Sequence, residues 1–205
     1  KLAEHVSSTD VIGFSGGVAQ NCCFNSKIKR AGTKVVIPPH VNDCGLSLGA
    51  VEFLRQRFDE EPFSNTGFPF WQDDEAPEQE ADEQTIEKGA KSLRDGRILA
   101  WYQGHGEIGP RALGNRSILM QPHHKEGKAY LNEKVKHREG FRPFGSAVLR
   151  EDVSKYFDCD CDVHYMNMSV QVKDPLALPA VTHVDNTCRI QTVDGDGHFA
   201  RLLRK

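Results

Sequence analysis

Residues 60–82 divide the chain in two. The stretch is acidic, carries Pro62, Pro69 and Pro77, shows no apolar period and reads as a linker. Phe68, Phe70 and Trp71 inside it are expected to pin it to a domain surface. Ahead of it, residues 10–14 (DVIGF) predict a strand ending in a turn at Gly16-Gly17. A helix over residues 18–31 should stop at Gly32, a second strand fall at residues 34–37, and Asn42-Asp43 cap a helix over 44–58. Behind it, the pattern predicts a helix over 83–95 and strands over 98–102 and 118–121, joined by a long glycine-rich loop. A basic helix over 125–137, a strand-like run over 142–149 and a short helix over 150–157 should follow. The expected remainder is a strand over 166–173, a hairpin over 181–193 turning at Asp185-Asn186, and a helix-like end. This is an α/β chain, with domains at 1–59 and 83–205 on either side of the linker.

Composition removes several classes. With 38% hydrophobic and 27% charged residues the chain is an ordinary globular sequence. Its net charge of -3 gives no overall basic field, which speaks against nucleic acid as a partner. No apolar run reaches the roughly 20 residues that span a bilayer, so no membrane partner is expected. Six cysteines are too few for a disulfide scaffold, and a reducing cytoplasm is the simplest location. The chain does not start with Met, and both ends look cut from something longer.

Four constellations carry chemistry. Gly16-Gly17 before a helix would let backbone amides approach a phosphate, although spacing alone favours a plain tight turn. Asp43 is a cap by position and a metal ligand by chemistry, with His40 near it. Residues 104–117 (GHGEIGPRALGNRS) combine glycines with Arg111 and Arg116, whose forked donors match phosphate and carboxylate oxygens. In that loop Glu107 could orient an arginine or accept from a ligand, or simply pair inside a structural loop. Residues 134–146 gather Lys134, Lys136, His137, Arg138 and Arg142, with Lys134 and Arg138 one helical turn apart. Such a run is usually a solvated face, but Phe141, Pro143 and Phe144 anchor Arg142 at a strand entry, where a positive charge needs an anion. His183, Asp185, Arg189 and Gln191 alternate so that a strand would send them to one face, towards solvent or a small anion. Cys159-Asp160-Cys161 and His123-His124 lack zinc spacing and read as surface features.

Taken together, GGVAQNCCFN at 16–25, NDCGLSLGA at 42–50, GEIGPRALGNRSIL at 106–119, LNEKVKHREGFRPF at 131–144 and THVDNTCRIQTV at 182–193 resemble the O-carbamoyltransferases of antibiotic and nodulation-factor biosynthesis. The resemblance implies the tail of an actin-like ATPase domain, similar to the universal tRNA threonylcarbamoyl-transfer protein. After it would come an incomplete YrdC-like α/β domain with a twisted mixed sheet. It also implies chemistry: ATP and carbamoyl phosphate give carbamoyl-adenylate, and the carbamoyl group passes to a hydroxyl. By this resemblance Arg111, Arg116, Lys134, Arg138 and Arg142 neutralise the reacting phosphates, and His183 and Arg189 are further catalytic residues of the second domain. Gly16, Gly17, Asn21, Glu107, Gly109, Asn115, Ser117, Lys136, Ser146 and Asp185 line nucleotide or cofactor sites. Asp43 becomes one ligand of a divalent metal, iron, completed from outside these residues, and Mg accompanies ATP. The implied partners are a small-molecule hydroxyl acceptor and the N-terminal part of the same protein, with a second copy as a further candidate. Asn186 stands where the family usually has Gly, Ile108 where it has an aromatic, and Gly145-Ser146 where Ala-Pro is common. A tRNA threonylcarbamoyl transferase and a non-catalytic nucleotide-binding regulator are the competing readings.

Overall fold

The computed structural model describes residues 10–64, 66–72 and 80–205; the Pro77 part of the expected linker lies outside the described residues. The architecture is mixed α/β. The first segment contributes β1 (Ile12–Gly13) and β2 (Val35–Val36), paired in parallel with Ile12 opposite Val35. Between them, a single 3-10 turn leads into α1 (Cys22–Arg30). Asn21 starts α1 by accepting from the Phe24 amide at 3.0 Å, satisfying one of the orphan donors of the first turn. The helix expected over 44–58 begins later, as α2 (Leu46–Arg57) after a 3-10 turn at Asp43–Gly45. Asn42 gives no side-chain cap there, so the predicted capping by Asn42-Asp43 is corrected.

The second segment opens with α3 (Glu83–Arg94), capped by Asp82, which accepts from the Thr85 amide at 2.7 Å. β3 (Leu99–Tyr102) and β4 (Arg116–Leu119) pair antiparallel, Leu99 opposite Leu119 and Tyr102 opposite Arg116. The basic helix forecast over 125–137 is much shorter. It is α4 (Gly127–Tyr130) followed by one wide π turn at Leu131–Val135, closed by the Lys136 amide on the Leu131 carbonyl at 2.8 Å. Lys134 and Arg138 therefore do not share a helix face.

A four-stranded sheet forms the centre. Its order is β5 (Gly145–Leu149), β8 (Thr187–Val193), β7 (Ser169–Val172) and β6 (Phe157–Asp158). The β5–β8 pairing is parallel and the others are antiparallel. The short helix α5 (Val153–Tyr156) joins β5 to β6. Arg142 lies before β5 rather than in it. Of the hairpin predicted about Asp185-Asn186 only the turn and the second strand form: the Asn186 amide donates to the His183 carbonyl at 3.0 Å and the His183 amide to the Thr187 carbonyl at 2.8 Å, β8 starts at Thr187, and residues 181–183 form no strand.

The two faces of β8 divide the labour. Cys188 and Ile190, both fully buried, point into a core with Val148, Phe157, Val163, Val170 and Val172. On the other side, Leu149 and Val193 join Ile86, Ala90, Trp101, Phe199 and Leu202 under α3 and α6 (His198–Arg204). Gly114 closes this second core against Phe199. Its φ is +106°, and a Cβ there would lie 2.4 Å from Phe199 Cδ1. Gly114→Ala is expected to cost about 2–4 kcal/mol from strain and overpacking, read as a lower urea midpoint.

The two segments meet at a polar joint. The buried Asn25 of α1 donates to the Ala19 and Asn167 carbonyls, both at 2.8 Å. Ser26 Oγ lies 2.7 Å from the Ser169 carbonyl and accepts from the Ser169 amide at 3.0 Å. Gly109 (φ +124°) sits so close to the first segment that a Cβ would come within 2.5 Å of the Pro39 carbonyl. The aromatic part of the linker is pinned down as expected. Phe68 meets Trp71 at 4.8 Å and His40 at 5.5 Å, and the Ile108 amide donates to the Pro69 carbonyl at 2.8 Å. Among the described residues, no helix is long and apolar enough to cross a membrane.

Candidate active site

The glycine-rich loop between β3 and β4 is organised from within by one carboxylate. Buried Glu107 uses a single oxygen, Oε1, to accept three backbone amides: Leu113 at 2.7 Å, Asn115 at 2.8 Å and Arg116 at 3.1 Å. Asn115 holds the other side. Its Nδ2 donates to the His105 carbonyl at 2.8 Å, and its Oδ1 accepts from Gln103 at 2.9 Å. Ser117 Oγ accepts from the Gly114 amide at 3.0 Å. Arg116 lies 3.5 Å over the Tyr102 ring and donates to the carbonyls of Gln103, Asn115 and Gly104. Four residues singled out for ligand contact are thus the frame of the loop in this structure.

What the frame presents is Arg111. Half-buried, it lines a narrow cleft at the joint with Gln20, Cys22, Pro39, Tyr165 and Asn167. Arg189 comes to the same place from β8. Its neighbour on that strand face, Gln191, fixes strand to loop by donating to the Leu113 carbonyl at 2.7 Å. Arg189 and Gln191 share a face as the alternation predicted. His183 and Asp185 lie in the preceding turn instead.

Arg189 is held at an energetic cost. Burial, and after it the Arg111 charge, lowers its affinity for its proton. Its Nε is buried without a hydrogen-bond partner. Among the described residues, neither Arg111 nor Arg189 forms an ion pair with a carboxylate. A guanidinium stays charged in proteins, and burying one without a partner is costly. The same electrostatics reach Cys22, whose thiol is pushed up by burial, with Arg189 and Arg111 acting the other way.

A second arm reaches the cluster through His183. Its Nε2 lies 3.3 Å from the Phe144 carbonyl and its Nδ1 3.2 Å from Thr187 Oγ1. Burial is the largest cause of its lowered pKa, and Arg189 contributes. Arg138 packs 4.8 Å over the Phe144 ring, and its Nε donates to the buried Asn132 at 2.7 Å. Asn132 in turn donates to the Arg142 carbonyl at 3.0 Å. Burial and the nearby Arg142 lower the proton affinity of Arg138. Arg111 and Arg189 meet at the joint and His183 and Arg138 approach from the Phe144 side, whereas the exposed Arg142 side chain pairs with Glu139 at 3.8 Å and only its carbonyl joins Asn132. Sequence reasoning did not see Asn132, because nothing in its residue type announces a hub that the π turn points inward.

Other expected residues stay apart from this group or serve locally. Lys134 is exposed and paired with Glu133 at 2.7 Å, and Lys136 is exposed. Asp185 accepts from the Thr187 hydroxyl at 2.7 Å and its amide at 3.1 Å, and the first of these holds its carboxyl below the usual range. Asn186 takes φ +60°, the left-handed conformation that Asn tolerates and Gly favours, so its departure from the family Gly leaves the turn intact. Ser146 sits on edge strand β5, opposite Ile190. Gly16 and Gly17 stand exposed ahead of Asn21, at the end of α1 that carries Cys22. Asp43 is exposed, and among the described residues no group of three or more His, Cys, Asp or Glu could hold a metal. One carboxylate does not make a metal site, so no step is built on a metal here.

The carbamoyltransferase C-terminus family model matches residues 90–205. The chain is 35% identical to the nodulation protein NolNO of Sinorhizobium fredii, over 94% of this chain and 32% of that protein. It is 36% identical to the 3'-hydroxymethylcephem-O-carbamoyltransferase of Amycolatopsis lactamdurans, over 92% of this chain and 38% of that protein. The enzyme of the same description from Streptomyces clavuligerus is 35% identical, with the same coverage of both. The chain therefore spans between about a third and two fifths of these relatives. With the family model covering more than half of its residues, and these relatives aligned over nearly all of it, the chain belongs to the carbamoyltransferase family.

Proposed function

We propose that this chain is part of an ATP-dependent O-carbamoyltransferase acting on a hydroxyl of a small molecule or glycan. One observation carries the reading: Arg111 and Arg189 are held together at the joint, partly buried, with no acid among the described residues to pair them. Carbamoyl phosphate and ATP are both polyanions, and such a pair would neutralise charge as it shifts during phosphoryl chemistry. Carbamoyl phosphate would give up phosphate to water. The resulting carbamate oxygen would attack the α-phosphorus of ATP and expel pyrophosphate. The acceptor hydroxyl would then take the carbamoyl group and release AMP.

In this reading Arg138 and Arg142 extend the anion-binding surface, and His183, close to neutral by burial, orients rather than charges the site. Residues 1–59 are the tail of the actin-like domain, with Gly16, Gly17 and Asn21 at its nucleotide and Asp43 as one ligand of a metal completed elsewhere. Residues 83–205 are the YrdC-like domain, and the protein works in the cytoplasm. Two relatives named as 3'-hydroxymethylcephem-O-carbamoyltransferases support a small-molecule hydroxyl as the acceptor class.

The test uses the longer protein that contains this chain. Pyrophosphate release from ATP is expected only when carbamoyl phosphate is added. A requirement for threonine and tRNA would replace this reading by the tRNA-modifying one. ATP binding without any turnover would replace it by a regulatory role.

A further inference from the structure

Cys159 and Cys161 are not the bland surface features their spacing suggests. They follow β6, both half-buried, and pack against the main core. Their sulfurs lie 3.7 Å apart, and Cys159 Sγ also donates to the Cys161 carbonyl at 3.2 Å. A disulfide needs about 2.0 Å between sulfurs, so adjustment of two side chains that already converge would reach bonding distance. Asp160 between them is exposed, which leaves the pair open to a solute from one side.

We propose that Cys159 and Cys161 are a redox-active dithiol, a modification site for small disulfide oxidants of the glutathione disulfide class. The thiolate of Cys161 attacks one sulfur of the oxidant, the oxidant's S–S bond breaks, and one thiol leaves with a proton. Cys159 then loses its proton and attacks the Cys161 sulfur, expelling the second thiol. The protein loses two protons and two electrons, and the oxidant is reduced to two thiols. The order of attack follows from burial, which more than the neighbouring sulfur pushes the Cys159 thiol up to about 11. A thiol that stays protonated is a poor first nucleophile, and it gives the reduced form none of the stabilisation that a low-pKa thiolate brings.

The position gives closure a reach. Two residues after Cys161, the Val163 amide donates to Thr192 Oγ1 at 3.0 Å, and the Val163 carbonyl accepts from the Thr192 amide at 2.8 Å. The same segment goes on to place Tyr165 and Asn167 in the cleft beside Arg111. A bond between the sulfurs would stiffen the root of that segment.

The test is peptide mapping of the full chain after equilibration with glutathione disulfide, acid quench and alkylation. The expected result is one peptide holding Cys159 and Cys161, two hydrogen atoms lighter and unalkylated. Cys188, fully buried and pushed up to about 12, should remain a free thiol and so report that the fold stayed intact. Cys159→Ser should leave Cys161 carrying a stable glutathione adduct. Cys161→Ser should slow uptake at Cys159 at least about tenfold. Recovery of both cysteines as free thiols, or with one glutathione on each, would overturn the proposal. So would a Cys159→Ser protein that takes up no glutathione at Cys161.

Discussion

Glu107→Ala should destabilise the protein by about 3–5 kcal/mol, seen as a large drop in the urea midpoint of the full chain, because it strips the acceptor from buried donors. The Leu113, Asn115 and Arg116 amides all end on one Glu107 oxygen, and alanine offers none of them a substitute. Glu107→Gln keeps an oxygen of the same shape but removes its charge, so it should lose only about 1–2 kcal/mol. Equal losses for the two variants would mean that charge rather than acceptor geometry shapes the loop. No loss for either would mean that the loop stands without its carboxylate.

Arg189→Met should separate function from stability by moving them in opposite directions. In the longer protein, carbamoyl-phosphate-dependent pyrophosphate release should fall about a hundredfold, the effect of removing one preorganised charge from a transition state. The urea midpoint of the same variant should hold or rise, by roughly 1 kcal/mol, because a partly buried guanidinium with an unpartnered Nε beside Arg111 is replaced by an apolar side chain of similar length. Parallel losses of activity and stability would make Arg189 a structural residue. Arg189→Lys keeps the charge without the forked donors and should recover only part of the rate.

The sequence made some of this legible and hid the rest for identifiable reasons. Periodicity located α3, β3 and the face shared by Arg189 and Gln191, since these follow from local repeat and alternation. The glycine-rich loop was visible as a site of unusual composition. Its internal division was not, because which residues frame it and which one projects depends on chain reversal. Glu107 must fold back over six to nine residues to reach its amides, and no local rule anticipates that. The wide turn at 131–135 defeated the count of helical spacing, because one extra residue per turn rotates everything after it. Of the hairpin expected over 181–193 the turn at Asp185-Asn186 forms, held by Asp185 on Thr187, but the first strand does not, because the Thr182 amide and hydroxyl both turn back to the Leu178 carbonyl. The charge run at 134–142 was mixed, with Lys134 solvated and Arg138 folded inward onto Asn132.

Helix α2 draws a consequence from its surroundings. None of its twelve residues is buried, and Leu46, Val51, Phe53 and Leu54 all face outward. A helix of about that length, held from outside chiefly by Arg55 and Glu52 on residues 61 and 63, is marginal in water, so it should fray readily. Its amides should open for almost no free energy, while those beside Phe157 and Ile190 open only when the whole fold does. The molecule is then graded in firmness along its length. It is stiffest at the core of the central sheet and softest at a helix whose permanence depends on what it touches.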